Sequence, residues 1–244
     1  MWSSIKQIIK PDTLSEASVL LKEPGSVLFA GGTYLVSQKE AHVHTLLDIN
    51  HLLSDQIKMQ GNEIHIDAGC TLQKIVTFDD PRLNSAILSA CSSKNIRNQR
   101  TLGGEIARAR TDSDLLIFLF TSRAKLFLNE SESPVELCDW NGKGIIVKIC
   151  IPPHGVKLER VALLDSARAY VIVGINELND PSAICIGGKT SKILFFQTKA
   201  EPDEADVRKF MDEVEASFSN DHLGSPAYKR QLISSLLQEM TVVK

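Results

Sequence analysis

The sequence contains no C-x-x-C pair. Its five cysteines, Cys70, Cys91, Cys138, Cys150 and Cys185, are dispersed, so the spacing that marks a zinc site or an iron–sulfur cluster is missing. What remains for them is a role as small buried thiols in a reducing compartment. There is no G-x-G-x-x-G run and hence no Rossmann fingerprint. Long apolar stretches are absent too: the longest is Leu115 to Phe120, and the opening MWSSIKQIIKPDT lacks the apolar core of a signal peptide. Neither a membrane span nor export is expected, and the cytoplasm is the expected location. Positive charge is in deficit, with 27 Lys and Arg against 30 Asp and Glu, a net charge of −3. Nucleic acid and acidic membranes are therefore excluded as principal partners, and any anion site must be local.

What is present is enough apolar material, 43% of 244 residues, to bury a large core or two smaller ones, and two domains are expected. The first third reads as a small α/β unit. Thr13-Leu14-Ser15-Glu16 is a capping-box pattern, followed by Leu14, Ala17, Leu20 and Leu21 on one helical face and a stop at Pro24-Gly25. Val27 to Phe29 is a short buried-strand run that leads directly into Ala30-Gly31-Gly32-Thr33. Thr45 to Ile49 is a second strand, and Glu63 to Ala68 alternates as a half-buried one that puts His65 on the polar, solvated face. The remaining histidines are scattered. His42 and His44 share strand spacing, but no cysteine or carboxylate nearby completes a metal set, so no metal site is expected.

Pro81 to Ser92 predicts an amphipathic helix that leads into KNIRNQRTLGGEIARARTDSDLL, Lys94 to Leu116. Five basic residues, Lys94, Arg97, Arg100, Arg108 and Arg110, surround Gly103-Gly104 there, with Glu105 as the one acid between Lys94 and Arg110. A glycine turn lets backbone N–H groups approach a ligand closely, successive N–H groups make a concave anion site, and the basic flank favours a phosphate-bearing ligand. Each glycine pair can also be an ordinary turn. Asp114 has two readings: an N-cap for the apolar helix after it, or a carboxylate that accepts hydrogen bonds from a ribose.

Ala124 to Leu128 and Ile145 to Ile151 predict strands. Beyond a boundary at Pro152 to Leu158, Arg160 to Leu164, Tyr170 to Leu178 and Ala183 to Ile186 predict a meander with Gly187-Gly188 as a hairpin turn. Two helices, Asp203 to Phe218 and Pro226 to Met240, complete an α+β fold.

Together, FAGGTYL at Phe29 to Leu35 and IRNQRTLGGEIA at Ile96 to Ala107 resemble the two flavin-binding motifs of the FAD-binding medium subunits of molybdenum hydroxylases, the xanthine dehydrogenase and carbon monoxide dehydrogenase type. IIVKICIPP, ICIGGKTSKIL and GSPAYKRQLISSLLQEM extend the resemblance over nearly the whole chain. It implies a two-lobed FAD-binding domain of the PCMH type over 1–152, with lobes of about 1–55 and 56–152, and a C-terminal domain of antiparallel sheet plus helices over 158–244.

The resemblance implies FAD as cofactor, with its pyrophosphate held by Ala30, Gly31, Gly32 and Thr33 on one side and by Thr101, Gly103 and Gly104 on the other. Asp114 would meet a ribose and Ile146 the adenine or ring pocket. Tyr170 would lie beside the isoalloxazine, or pack as a strand tyrosine. Three positions depart from the family pattern: Tyr34 replaces a frequent aspartate, Glu105 a frequent asparagine and Lys148 a frequent glutamate. Glu105 would either accept a hydrogen bond or repel the pyrophosphate unless an arginine neutralises it. The implied partners are an iron–sulfur subunit and a molybdenum-cofactor subunit, with NAD as a possible acceptor and no catalytic side chain required. A flavin-free assembly module of the same complex is the alternative.

Overall fold

The structure is a computed structural model that describes residues 2–178, 183–197 and 204–242. The chain forms two compact units. The first takes in residues through Phe78, Ser93–Arg108 and Lys125–Cys150. The second takes in Asp79–Ser92, Ala109–Ala124 and the chain from Ile151 onward. The single division expected at 152–158 is therefore too simple, because 79–92 and 109–124 go with the C-terminal part. The helix Asp114–Thr121 supplies the reason, since its Ile117 packs on Ile172 and Cys185 of that part.

The first unit holds two sheets. In the smaller, β1 (Gln7–Ile9) and β2 (Ser26–Phe29) both run parallel to the central β3 (Thr45–Asp48). A parallel β1–β2 connection needs a crossover, and Leu14–Leu20 supplies it as a helix. Thr13 caps that helix by accepting from the Glu16 N–H at 3.1 Å. The reciprocal bond of the capping box lands one residue early, on the Asp12 N–H at 2.7 Å. Ala17, Ile49 and Ile145 form a small core with Leu14, Leu28 and Leu53 against it.

The larger sheet contains β4 (Ile57–Gln60), β5 (Glu63–Asp67), β6 (Lys125–Leu128), β7 (Val135–Glu136) and β8 (Ile146–Ile151), in the order β4-β5-β8-β6-β7. β5 alternates as its sequence predicts, with Ile64 and Ile66 buried and Glu63, His65 and Asp67 on the other face.

The second unit is built on an antiparallel meander of β9 (Val156–Val161), β10 (Val171–Asn176), β11 (Ala183–Gly188) and β12 (Leu194–Gln197). Its expected boundaries shift in two ways. β9 begins four residues before Arg160, and Gly187-Gly188 is no hairpin turn but the end of β11, paired with Ile172 and Val171. A Cβ on Gly187 would lie 2.4 Å from Ile117 Cδ1 and 2.5 Å from the Thr111 carbonyl oxygen, so this glycine is there for close helix-on-sheet packing. Val171, Val173 and Ile186 meet Phe210, Met211, Val214 and Ile233 of the helices Glu204–Ser217 and Pro226–Val242 on the opposite face. Asp203, the expected start of the first of these helices, lies outside the described residues. Among the described residues, no helix is long and apolar enough to cross a membrane.

Candidate functional site

β2 ends at Phe29, and the chain turns through Ala30-Gly31-Gly32-Thr33 into a one-turn helix, Leu35–Gln38. Gly32 takes φ +64°, the left-handed region in which a Cβ is strained. At Gly31 the demand is for space: a Cβ there would lie 2.0 Å from the Gln99 carbonyl oxygen. The first glycine pair is thus pressed against the backbone just ahead of the second, and Arg100 closes the junction. Its Nε lies 3.4 Å from Thr33 Oγ1 and its guanidinium 3.3 Å from the Glu105 carboxylate.

A cleft of about 250 Å³ opens between the two motifs. Its walls are Ala30 to Leu35 on one side and Arg100, Thr101, Gly103 to Glu105 and Arg108 on the other; Leu28, Ile49, Leu53, Ile145 and Ile146 form an apolar floor. Ten of the twelve predicted site residues meet here: Ala30, Gly31, Gly32, Thr33, Tyr34, Thr101, Gly103, Gly104, Glu105 and Ile146. Tyr34 carries the Arg108 guanidinium over its ring at 4.2 Å and directs its hydroxyl toward Glu40 at 3.3 Å.

The backbone donors of the two motifs differ. Among the described residues, the N–H groups of Gly31 through Leu35 find no acceptor within the chain, so a run of half-buried donors faces the cleft. The second motif opens the helix Leu102–Ala107, capped by Thr101. Its N–H groups are taken: Leu102 donates to Cys70 O, Gly103 to Ala68 O, Gly104 to Thr101 Oγ1 and Glu105 to Thr101 O. A Cβ on Gly103 would strike the Ala68 methyl at 2.9 Å. One on Gly104 would meet Thr101 Oγ1 and nothing else within 4 Å. Gly103 therefore seats the helix, while Gly104 lines the cleft with only the cap hydroxyl against it.

The basic cluster does not converge. Arg97 is buried and donates to Gln73 Oε1 at 3.0 Å, Lys94 is exposed, and Arg110 pairs with Asp112 at 2.6 Å in the second unit. Only Arg100 and Arg108 of the five line the cleft.

The other two predicted residues lie in the second unit. Asp114 is not the helix cap: Ser113 accepts from the Leu116 N–H at 3.3 Å, one residue earlier, and Asp114 is the first helical residue. Its carboxylate is buried and held by Arg160 at 2.9 Å. Burial pushes that carboxyl above the ordinary range, and Arg160 pulls against the shift. Tyr170 is 9% exposed and belongs to the core formed with Val171 and Phe210. Burial and a neighbouring Tyr228 raise its phenol.

Apolar floor, unpaired amides and two arginines suit a ligand with both phosphates and flat apolar parts. The family described as the FAD binding domain in molybdopterin dehydrogenase matches residues 3–140, more than half of the chain. The chain belongs to this family. The uncharacterized protein YgfM of Escherichia coli strain K12 is 26% identical over 250 residues, taking in 97% of this chain and 95% of YgfM. Reconstituted CO dehydrogenase from Oligotropha carboxidovorans contains a chain of the same fold, with TM-score 0.76 and 19% identity over 97% of this chain and 96% of that one. Quinoline 2-oxidoreductase from Pseudomonas putida 86 contains another, with TM-score 0.73 and 18% identity over 96% and 94%.

As an FAD-binding domain the first unit passes a direct test of fit. The unpaired N–H run at Gly31 to Leu35 offers donors of the kind a pyrophosphate needs, and at Gly104, on the facing wall, a Cβ would meet only Thr101 Oγ1, at 2.9 Å. Glu105 is 1% exposed, and the Arg100 guanidinium lies 3.3 Å from its carboxylate.

Proposed function

We propose that this chain is the FAD-carrying electron-transfer subunit of a multi-subunit molybdenum hydroxylase of the xanthine dehydrogenase type, working with an iron–sulfur subunit and a molybdenum-cofactor subunit in the cytoplasm. When bound, FAD supplies the redox chemistry, linking the clusters of a partner to an acceptor such as NAD. The protein's part is to bind, orient and keep water out. The amides of Gly31 to Leu35 hold the pyrophosphate, Arg100 adds charge beside it, and Ile145 and Ile146 supply apolar surface for a ring. This scheme needs no side-chain acid, base or nucleophile in the first unit.

The observation that carries the reading is the run of five N–H groups without an acceptor beside Arg100 in a cleft with an apolar floor. Full-length likeness to chains of CO dehydrogenase and quinoline 2-oxidoreductase supports the subunit role. The five cysteines, free of disulfides, support a reducing location. The test is to purify the protein, add FAD, and record the flavin spectrum and the melting temperature. Bound flavin with a raised Tm is expected. No retained flavin and no thermal shift would sink the proposal, and co-purification of partner subunits without flavin would favour the assembly module.

A further inference from the structure

Glu63 and His65 stand two residues apart on β5 and so project from one face of the sheet. β8, the neighbouring strand, brings Cys150 to the same face, with its Sγ 3.2 Å from Glu63 Oε2. His65 Nε2 lies 3.3 Å from that same oxygen. The three donor atoms all fall within 4.8 Å of one another. Zinc bond lengths of about 2.0–2.3 Å at tetrahedral angles put ligand atoms about 3.3–3.6 Å apart, so the cluster already has close to the spacing that a metal imposes. Cys150 is 2% exposed and the His65 side chain 14%, while the Glu63 side chain, 40% exposed, leaves a way in.

We propose that Glu63, His65 and Cys150 form a three-ligand site for a divalent transition ion of the zinc class, with the fourth position open to water. A carboxylate, an imidazole and a thiolate together favour such an ion over calcium or magnesium, which take oxygen ligands. On binding, the Cys150 S–H bond breaks and a sulfur–metal bond forms, with the proton released to solvent. Until then the thiol is pushed up to about 12 by burial and by Glu63, and it donates to the carboxylate. Lys125, directly across the ladder from Cys150, is the neighbouring cation whose charge acts on Glu63 in the metal-free state. A second cluster, Glu136, Cys138 and Asp139, lacks an imidazole and serves as the internal control.

Cobalt(II) is the probe, titrated into the purified full-length protein with or without its flavin and followed by difference absorbance. A thiolate-to-cobalt charge-transfer band is expected, together with four-coordinate ligand-field bands at wavelengths longer than flavin absorbs. Cys150→Ser should abolish the charge-transfer band. His65→Gln should weaken binding by at least about tenfold, since even outer-sphere changes at metal sites cost that much. Cys138→Ser should leave both features in place. Circular dichroism of the metal-free variants establishes that each is folded. Absence of the thiolate band from the wild type, or its survival in Cys150→Ser, overturns the site.

Discussion

The two glycine pairs of the first unit look alike in sequence and do different work. At Gly31-Gly32 the backbone leaves its N–H groups unspent, and the missing side chains let it press on Gln99 at Gly31 and on the Phe29 ring at Gly32. At Gly103-Gly104 the backbone enters a helix whose first N–H groups all have acceptors. One glycine there packs against Ala68 and the other lines the cleft. Similar pairs therefore serve as a donor array in one place and a spacer in the other. What separates them is where the neighbouring carbonyls lie, which is a property of the fold.

Substituting the first pair should produce the largest effect. Gly31→Ala puts a methyl where the Gln99 oxygen is, and a backbone oxygen cannot swing aside as a side chain tip can. Overpacking of this kind costs about 1–3 kcal/mol. Because the displaced atoms are the donors themselves, FAD affinity should fall by about a hundredfold, a loss of roughly 2.7 kcal/mol. Flavin fluorescence titration of the folded variant measures it. An unchanged Kd would mean that the cradle lies elsewhere.

Arg100 joins the two motifs, so its removal should register on both binding and stability. Arg100→Met deletes a cation whose hydrogen bond to a charged group is worth about 1.5–3 kcal/mol, a tenfold to hundredfold loss of FAD affinity. It also takes the Arg100 cation away from the buried Glu105 carboxylate 3.3 Å from it, and breaking a buried pair on one side costs up to about 3–5 kcal/mol of stability. The double variant Arg100→Met, Glu105→Gln should recover most of that stability in a denaturant titration while the affinity stays low. Recovery of both would show that Arg100 acts only by neutralising Glu105.

The sequence made the glycine pairs visible because their residue type reports directly on backbone space, and their pairing identified the family. The split of roles between them could not be read there, since it depends on Ala68, Cys70 and Gln99 acting through main-chain atoms that any residue supplies. The Asp114 cap fails by one position, where Ser113 offers a hydroxyl with the same local pattern. Gly187-Gly188 misleads because a glycine pair between apolar runs reads as a turn, whereas here it makes room for Ile117. β1 and β4 go unrecognised because three or four residues are too few to establish a period. His65 reads as solvated by alternation alone, whereas its side chain is 14% exposed; Cys150 is brought beside Glu63 on the same face from 87 residues away.

Gly104→Val should have a moderate effect on binding and little on folding. Its Cβ would meet only Thr101 Oγ1, at 2.9 Å, so the cap hydroxyl must give way slightly, and in helix propensity valine is no worse than the glycine it replaces, which itself stands about 0.8–1.0 kcal/mol below alanine. FAD affinity should drop by about tenfold, or 1.4 kcal/mol, with the Tm of the flavin-free protein close to that of the wild type. A large fall in that Tm would show that the space at Gly104 is filled by protein.

Gly103→Ala is expected to affect binding least and so discriminates best between the two roles. The new methyl meets the Ala68 Cβ at 2.9 Å and the Ala68 carbonyl oxygen at 3.2 Å, so the helix must move off the turn after β5. That repacking should cost about 1–3 kcal/mol in chemical denaturation. Helix propensity works the other way, because alanine is favoured over glycine by about 0.8–1.0 kcal/mol in a helix interior, which places the net loss toward the lower part of that range. FAD affinity of the folded variant should change by less than about threefold, under 0.7 kcal/mol. A variant as stable as the wild type but unable to hold flavin would reverse the assignment, making Gly103 a ligand contact and leaving Ala68 free to yield.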